Sequence, residues 1–255
     1  MICAFILSKI YYVYICLKEN VMKYSNKYKV LGQFTDADGV LKTGALLRYM
    51  QETAADAMEA DGPSYDELAE RGLIFVISKI NISVYADIFA HDEIEVETWA
   101  TESVRASFHR AYRVLRDGVV IAEAVSVWAL VDTSRRRLVR AGDVELRYRE
   151  DEPLELDTPQ KLRMPESMTL RGERRVSYSD CDRNRHMNNT VYADMICDYV
   201  FNRDIGRVSR LSINYVNEAP FGEELKVYVA REDDTYYVRT VREDGKVNIE
   251  AEVLI

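Results

Sequence analysis

The chain has 255 residues, 47% of them hydrophobic, and sets 34 Lys and Arg against 43 Asp and Glu for a net charge of −9. That length suits one large domain or two small ones with a proper core, and the negative total argues against a general nucleic-acid surface. Four cysteines without paired spacing point to a reducing, cytoplasmic interior, and with no phosphate loop, metal-spaced Cys/His set or serine-centred elbow, neither cofactor nor metal is expected.

In chain order, residues 1–22 come first as an apolar leader. Ile2 to Leu17 is interrupted only by Ser8 and Lys9, is short for a membrane span, and is followed by no small-residue cleavage site. An upstream start codon wrongly assigned, with Met22 as the natural start, is the preferred reading. A membrane anchor is the rival, and stable membrane insertion is not expected.

A first unit is expected over residues 23–147. From Gly44 to Ala60 the apolar residues Leu46, Leu47, Met50, Ala54, Ala57 and Met58 fit a 3.6-residue period, which predicts a helix with one buried face. Strand-like runs rich in Val, Ile and aromatics follow at Ile74 to Tyr85, Glu93 to Ala100, Ala106 to Leu115 and Val119 to Val131. The last two flank Asp117-Gly118, a dipeptide suited to a two-residue hairpin. His91 in a turn and His109 on a strand are structural or solvated, and Trp99 and Trp128 on strands fill core.

Residues 148–167 read as a linker, because Pro153, Pro159 and Pro165 stand there with Glu150, Asp151, Glu152, Glu155 and Asp157 and little regular structure can persist. Its length lets a second unit, residues 168–255, dock face to face with the first, closing the two sheets into one. That unit opens on Asp180-Cys181-Asp182-Arg183-Asn184-Arg185-His186-Met187-Asn188-Asn189, then a helix over Val191 to Phe201 and strands from Val208, Glu224, Tyr236 and Val247, with a turn at Asp244-Gly245.

The ten-residue cluster gathers acid, amide and imidazole just before a helix. Such residues also serve ordinary turns and N-caps, yet together they offer a base, an orienting group and a proton carrier, ahead of N–H groups able to steady an oxyanion. An internal repeat strengthens the chemical reading. Thr35-Asp36-Ala37-Asp38-Gly39 resembles Ser179-Asp180-Cys181-Asp182-Arg183; Ser78 to Tyr85 matches Ser209 to Val216, and His91 to Val96 matches Gly222 to Val227. Where the second copy has Asn184-Arg185-His186 the first has Val40-Leu41-Lys42, and Asp87 falls opposite Glu218. The first copy therefore shapes a pocket and the second does the chemistry. Each is a helix wrapped by an antiparallel sheet.

The cluster, followed by Tyr192, resembles the signature of the acyl-acyl carrier protein thioesterases of plant and bacterial type. Asn214-Tyr215-Val216-Asn217-Glu218 is similar to the downstream segment that supplies a catalytic acid there. The resemblance covers about Lys23 to Ile255 and implies an α+β tandem (double) hot dog fold, with acyl-chain selection in the first unit and hydrolysis of fatty acyl thioesters in the second. By position, Asp182, Asn184, His186 and Glu218 match the catalytic set. A cysteine proposed as nucleophile in plant relatives falls at Ala219, and Cys181 and Cys197 are read as small buried hydrophobes, so thiol chemistry is not expected.

On this reading Asp182 is nucleophile or base through a bound water, Asn184 orients it, His186 carries the proton, and Glu218 fixes the imidazole tautomer or positions water. Backbone N–H groups near Asn188 and Asn189 are the expected oxyanion donors. The resemblance makes Leu46, Leu47 and Met50 candidates for the acyl-chain tunnel. The expected partner is an acidic acyl carrier protein, docked through Arg171, Arg174, Arg175, Arg183 and Arg185; Arg135, Arg136, Arg137 and Arg140 form a second, less favoured group. A homodimer is left open. The alternatives are coenzyme A as acyl donor, a non-catalytic acyl-binding module, and a hydratase with its acid and histidine differently arranged.

Overall fold

The computed structural model describes residues 23–144, 146, 151, 153–201 and 206–255. The leader expected over residues 1–22 lies outside them, as does part of the segment joining the two halves. No helix among the described residues is long and apolar enough to cross a membrane.

The amphipathic segment forms α1 (Thr43–Asp61), with all six of its predicted apolar positions buried. Gly62 and Pro63 end it, and Ser64 then opens a short helix, α2 (Tyr65–Glu70), by a reciprocal pair of bonds with Glu67. The strands of this half are β1 (Tyr24–Lys29), β2 (Leu73–Val84), β3 (Glu93–Val104), β4 (Ser107–Arg116), β5 (Val119–Asp132) and the short β6 (Arg137–Val139). Between β4 and β5, Asp117 and Gly118 both take positive φ, 53° and 75°, as the two-residue turn requires. The second half contributes β7 (Thr169–Arg175), α3 (Val191–Val200), β8 (Arg210–Tyr215), β9 (Glu224–Glu232), β10 (Thr235–Val241) and β11 (Val247–Leu254).

Each half lays its strands in the same order, β1-β3-β4-β5-β2 and β7-β9-β10-β11-β8. The two sheets close into one, as expected, but they join edge to edge and not face to face. β2 and β8 pair antiparallel, Ile80 opposite Ile213, so one continuous sheet runs through both halves. Edge-to-edge joining satisfies the backbone groups that each inner strand would otherwise leave open. The joining segment lies across this seam: Asn81 Nδ2 donates to Asp157 O at 3.1 Å, and the Asn214 amide donates to Gln160 O and accepts from Leu162 N. Its residues 153–167 form neither helix nor strand. α1 and α3 pack against the sheet and each other over a core in which Met50, Ile82, Ile94, Met195, Ile196, Leu211 and Ile213 are almost wholly buried.

At the N-terminus of α1 no side chain of its own caps the helix. Instead Asp194 on α3 accepts from Gly44 N at 2.9 Å and pairs with Arg48 at 3.4 Å. Burial raises the Asp194 carboxyl above its ordinary value.

Candidate functional site

β7 ends at Arg175, Val176 after it is fully buried, and the chain turns through Ser177 to Asp180. Asp180 anchors the turn: one carboxylate oxygen accepts from Ser177 N, the other from Arg174 Nη2, both at 2.8 Å. The chain then doubles back within a few residues. Asp182 N donates to His186 O at 3.0 Å and Arg185 N to Asp182 O at 3.0 Å, while the Asp182 carboxylate accepts from Asn184 N at 2.8 Å. Arg185 takes a left-handed φ of 65° to close the turn.

This turn is clipped to the segment after β8. Met187 N donates to Ala219 O and Phe221 N to Arg185 O, at 2.9 and 3.0 Å, and His186 bridges Pro220. Glu218 is thereby carried alongside the imidazole, with Oε2 3.5 Å from His186 Nδ1. That is ion-pair contact rather than a short hydrogen bond.

A buried amide fixes the corner carrying Glu218. Asn248, with no exposed surface, donates to Tyr192 Oη at 3.0 Å and to Asn217 O, and accepts from Thr240 Oγ1 at 2.8 Å. Its own carbonyl receives Val216 N and Asn217 N. Burial pushes the Tyr192 phenol up to about 12. Asn248 does not show as a site residue in sequence, because it acts through partners distant in the chain; Arg174 does, but for docking rather than for holding Asp180.

The structure thus brings His186 and Glu218 together and sets Asp182 and Asn184 in the same turn. No hydrogen bond links the Asp182 carboxylate to the imidazole among the described residues, and the Asn184 side chain is exposed. Asn188 is placed differently from expectation. Its N–H donates to Asp180 O at 2.8 Å and its side-chain oxygen accepts from Thr190 N and Oγ1, so it caps the approach to α3 and its backbone N–H is already engaged. Asn189 O accepts from Tyr215 Oη at 3.0 Å, leaving the Asn189 N–H as the backbone donor there without a described partner.

Arg174 also departs from the docking set: it is tied to Asp180 and, at 3.6 Å, to Asp198. Arg171, Arg175, Arg183 and Arg185 are exposed. Leu47 and Met50 are buried in the core, and Leu46, buried as well, lines a hollow between the halves with Val40, Leu41, Ile88 and Val208. A second hollow, under α1, is lined by residues such as Ala54, Met58, Tyr65, Phe75, Phe108 and Trp128. Tyr65 joins it to the Asp182–His186 turn, for the Arg183 guanidinium lies 5.6 Å over its ring.

Burial and the neighbouring Asp180 and Asp182 charges raise the Cys181 thiol, and burial pushes Cys197 up to about 12, so both favour the unreactive thiol form. Among the described residues no group of three or more His, Cys, Asp or Glu is placed to hold a metal ion.

The first half repeats this loop bond for bond. Asp36 N donates to Val40 O, Gly39 N to Asp36 O, Leu41 N to Ile88 O and Lys42 N to Phe34 O, and the Asp36 carboxylate accepts from Asp38 N. These match Asp182 N to His186 O, Arg185 N to Asp182 O, Met187 N to Ala219 O, Asn188 N to Asp180 O and Asn184 N to Asp182. The expected register is therefore out by two residues: Asp36 stands for Asp182, Asp38 for Asn184 and Val40 for His186. Asp87 keeps its place opposite Glu218. Three acids from this copy converge on one cation, Arg207, whose guanidinium lies 3.0 Å from both Asp36 and Asp38 and 3.6 Å from Asp87.

Two helix-in-sheet halves sharing one sheet, with an Asp-x-Asn-x-His turn clipped to a glutamate in the later half only, define a tandem hot dog protein with one candidate centre. The family description Acyl-ACP thioesterase N-terminal domain matches residues 21–146 and its C-terminal counterpart matches residues 165–253. The chain belongs to the acyl-ACP thioesterase family.

Among curated relatives it is 26% identical over 178 residues to a chloroplastic palmitoyl-acyl carrier protein thioesterase of Cuphea hookeriana, covering 64% of this chain and 43% of that protein. It is 25% identical over 206 residues to oleoyl-acyl carrier protein thioesterase 2 of Arabidopsis thaliana, covering 72% and 56%. The chain thus spans about half the length of the curated relatives it matches. A crystal structure of an acyl-ACP thioesterase from Bacteroides thetaiotaomicron superposes with a TM-score of 0.83 at 24% identity, over 90% of this chain and 96% of that one. The 12:0-ACP thioesterase of Umbellularia californica gives 0.73 at 18%, over 91% and 96%. At these identities the structural likeness is one of fold.

Proposed function

We propose that this protein hydrolyses the thioester of fatty acyl-acyl carrier protein, releasing the free fatty acid and ending chain elongation. The observation that carries this reading is the clip that holds His186 against Glu218 beside the Asp182 turn. Glu218 at Nδ1 favours the tautomer with its proton on that nitrogen, leaving Nε2 to accept and return a proton. Asp182 acts as nucleophile or as base through water, its carboxylate steadied by Asn184 N, and the Asn184 amide faces the substrate side. The Asn189 N–H remains as an oxyanion donor.

The division of labour belongs to the same proposal: residues 23–147 hold the acyl chain, residues 148–167 join the units and residues 168–255 carry the chemistry. Arg171, Arg175, Arg183 and Arg185 then face an acidic carrier and the phosphate of its arm. A cytoplasmic setting fits that partner.

The test presents the purified protein with carrier-bound and coenzyme A-bound forms of the same mixed acyl chains and identifies the acids released. Faster release from the carrier supports the proposal. Equal or faster release from coenzyme A would reassign the donor, and release from neither would remove the hydrolase reading.

A further inference from the structure

Polar side chains from α3, β8, β10 and β11 meet inside the second half. Thr240 and Asn248 have no exposed surface and Tyr192 almost none. Asn248 Nδ2 donates to Tyr192 Oη at 3.0 Å and to Asn217 O, and its Oδ1 accepts from Thr240 Oγ1 at 2.8 Å. The Tyr192 ring packs edge-on against Tyr215 with centroids 5.8 Å apart, and the Tyr215 hydroxyl donates to Asn189 O at 3.0 Å. One end of this group grips the residue before Glu218. The other grips the residue whose N–H is the proposed oxyanion donor.

The first half is an internal control. The bond match that sets Lys42 against Asn188 carries Leu46 to Tyr192, and the likeness of Ser78 to Tyr85 with Ser209 to Val216 carries Val84 to Tyr215. Strand register then sets Val114 for Thr240 and Ile121 for Asn248. Ile121 and Asn248 are each the extra residue of a β-bulge, since Val114 faces Ala122 and Leu115 faces Val120, as Thr240 faces Ile249 and Val241 faces Val247. The carbonyl of each bulged residue accepts from the chain leaving the neighbouring strand, Ile121 O from Tyr85 N at 2.8 Å and Asn248 O from Val216 N at 2.9 Å.

The same backbone, bulge included, thus closes over four aliphatic side chains in the half that has no imidazole. Hydroxyls and an amide are unfavourable there unless each is bonded, so the fold alone gives no reason for them in the other half. Bulges commonly re-aim a side chain beside an active site. We infer that Tyr192, Tyr215, Thr240 and Asn248 are positioning residues, a buried polar brace that holds Glu218 and the Asn189 N–H in register with the His186 turn. The inference rests on the hydrolysis proposed above, and the brace acts through Asn217 and Asn189.

Two variants test it on the full chain. Tyr192→Phe, Thr240→Val and Asn248→Ile combined remove the polar groups together, and at the last two positions copy the residues that the first half accommodates. Tyr215→Phe removes one hydroxyl and keeps the ring contact. On a thioester that the parent hydrolyses, both should lower kcat with KM nearly unchanged, the triple variant by about 10²-fold, the scale of a 1 Å misplacement caused away from the chemistry. The melting temperatures should stay near the parent's. An unchanged kcat in both, or a kcat that falls only as far as the folded fraction falls, overturns the inference; if the triple variant does not fold, Tyr215→Phe is judged by the same measurements. Crystal structures give an answer without turnover: the triple variant should keep the sheet and part Glu218 from its 3.5 Å contact with His186. No hydrolysis by the parent would overturn the function proposed above, whereas that contact kept at its parent distance in the triple variant would overturn the brace.

Discussion

Asp180 and Asp182 stand two residues apart and do opposite jobs. The first is buried, bonded to Arg174 and to Ser177 N, and holds the turn in place; the second is partly exposed and held only by Asn184 N. Substitution should separate them. Asp182→Asn or His186→Ala should lower turnover by at least ~10²-fold, the scale of a general acid–base group, with the melting temperature nearly unchanged. Asp180→Ala should instead lower stability by about 2 kcal/mol, because it strands a guanidinium and an N–H. A thermal melt beside a turnover assay on the same preparations checks both. The proposed reactive set could be named from sequence because Asp182, Asn184 and His186 fall within one turn, whereas the sorting of Asp180 from Asp182 needed Arg174, whose pairing is made by the fold.

α1 shows how far an element can be read from its own residues. Leu46, Leu47, Met50 and Ala54 fix its buried face by spacing alone, but its N-terminal cap comes from Asp194, far along the chain. A methyl group at Gly44 would run into that carboxylate. Gly44→Ala should therefore destabilise the protein even though alanine is the better helix former by about 1 kcal/mol, and its effect should shrink when Asp194→Ala is already present, which a double-mutant cycle measures. The pH dependence follows from the raised Asp194 carboxyl. A group whose pKa is raised on folding stabilises the native state below its unfolded value, and that contribution is lost as pH rises through the folded one. This contribution should decline with rising pH from 3.8 upward, and Asp194→Asn, which keeps an acceptor for Gly44 N, should flatten that part of the stability profile. The elements that spacing missed are short or charged: β1 and β7 alternate exposed Lys, Arg and Glu along the two ends of the sheet, where no hydrophobic period marks a strand.

Across the whole molecule the duplication is closer in backbone than in side chains. Similarity of residues set Asp36 against Asp180, since both open an acidic pair, but the hydrogen bonds set it against Asp182. Only the fold could reveal that shift, and only the fold shows β2 pairing with β8, a contact between strands with no local signal of partnership. Val40 stands where the later half has its imidazole, and Arg207 is bound to all three acids of that copy. Arg207→Ala should leave Asp36, Asp38 and Asp87 facing one another and lower stability by about 1–2 kcal/mol, between the values for exposed and buried ion pairs. The deficit should narrow as salt rises, because these groups are partly exposed and their repulsion is screened. Turnover at the His186 turn should change little. A variant that melted like the parent yet lost hydrolysis would mean that the first-half loop takes part in the reaction, and the assignment of chemistry to one half would fail with it.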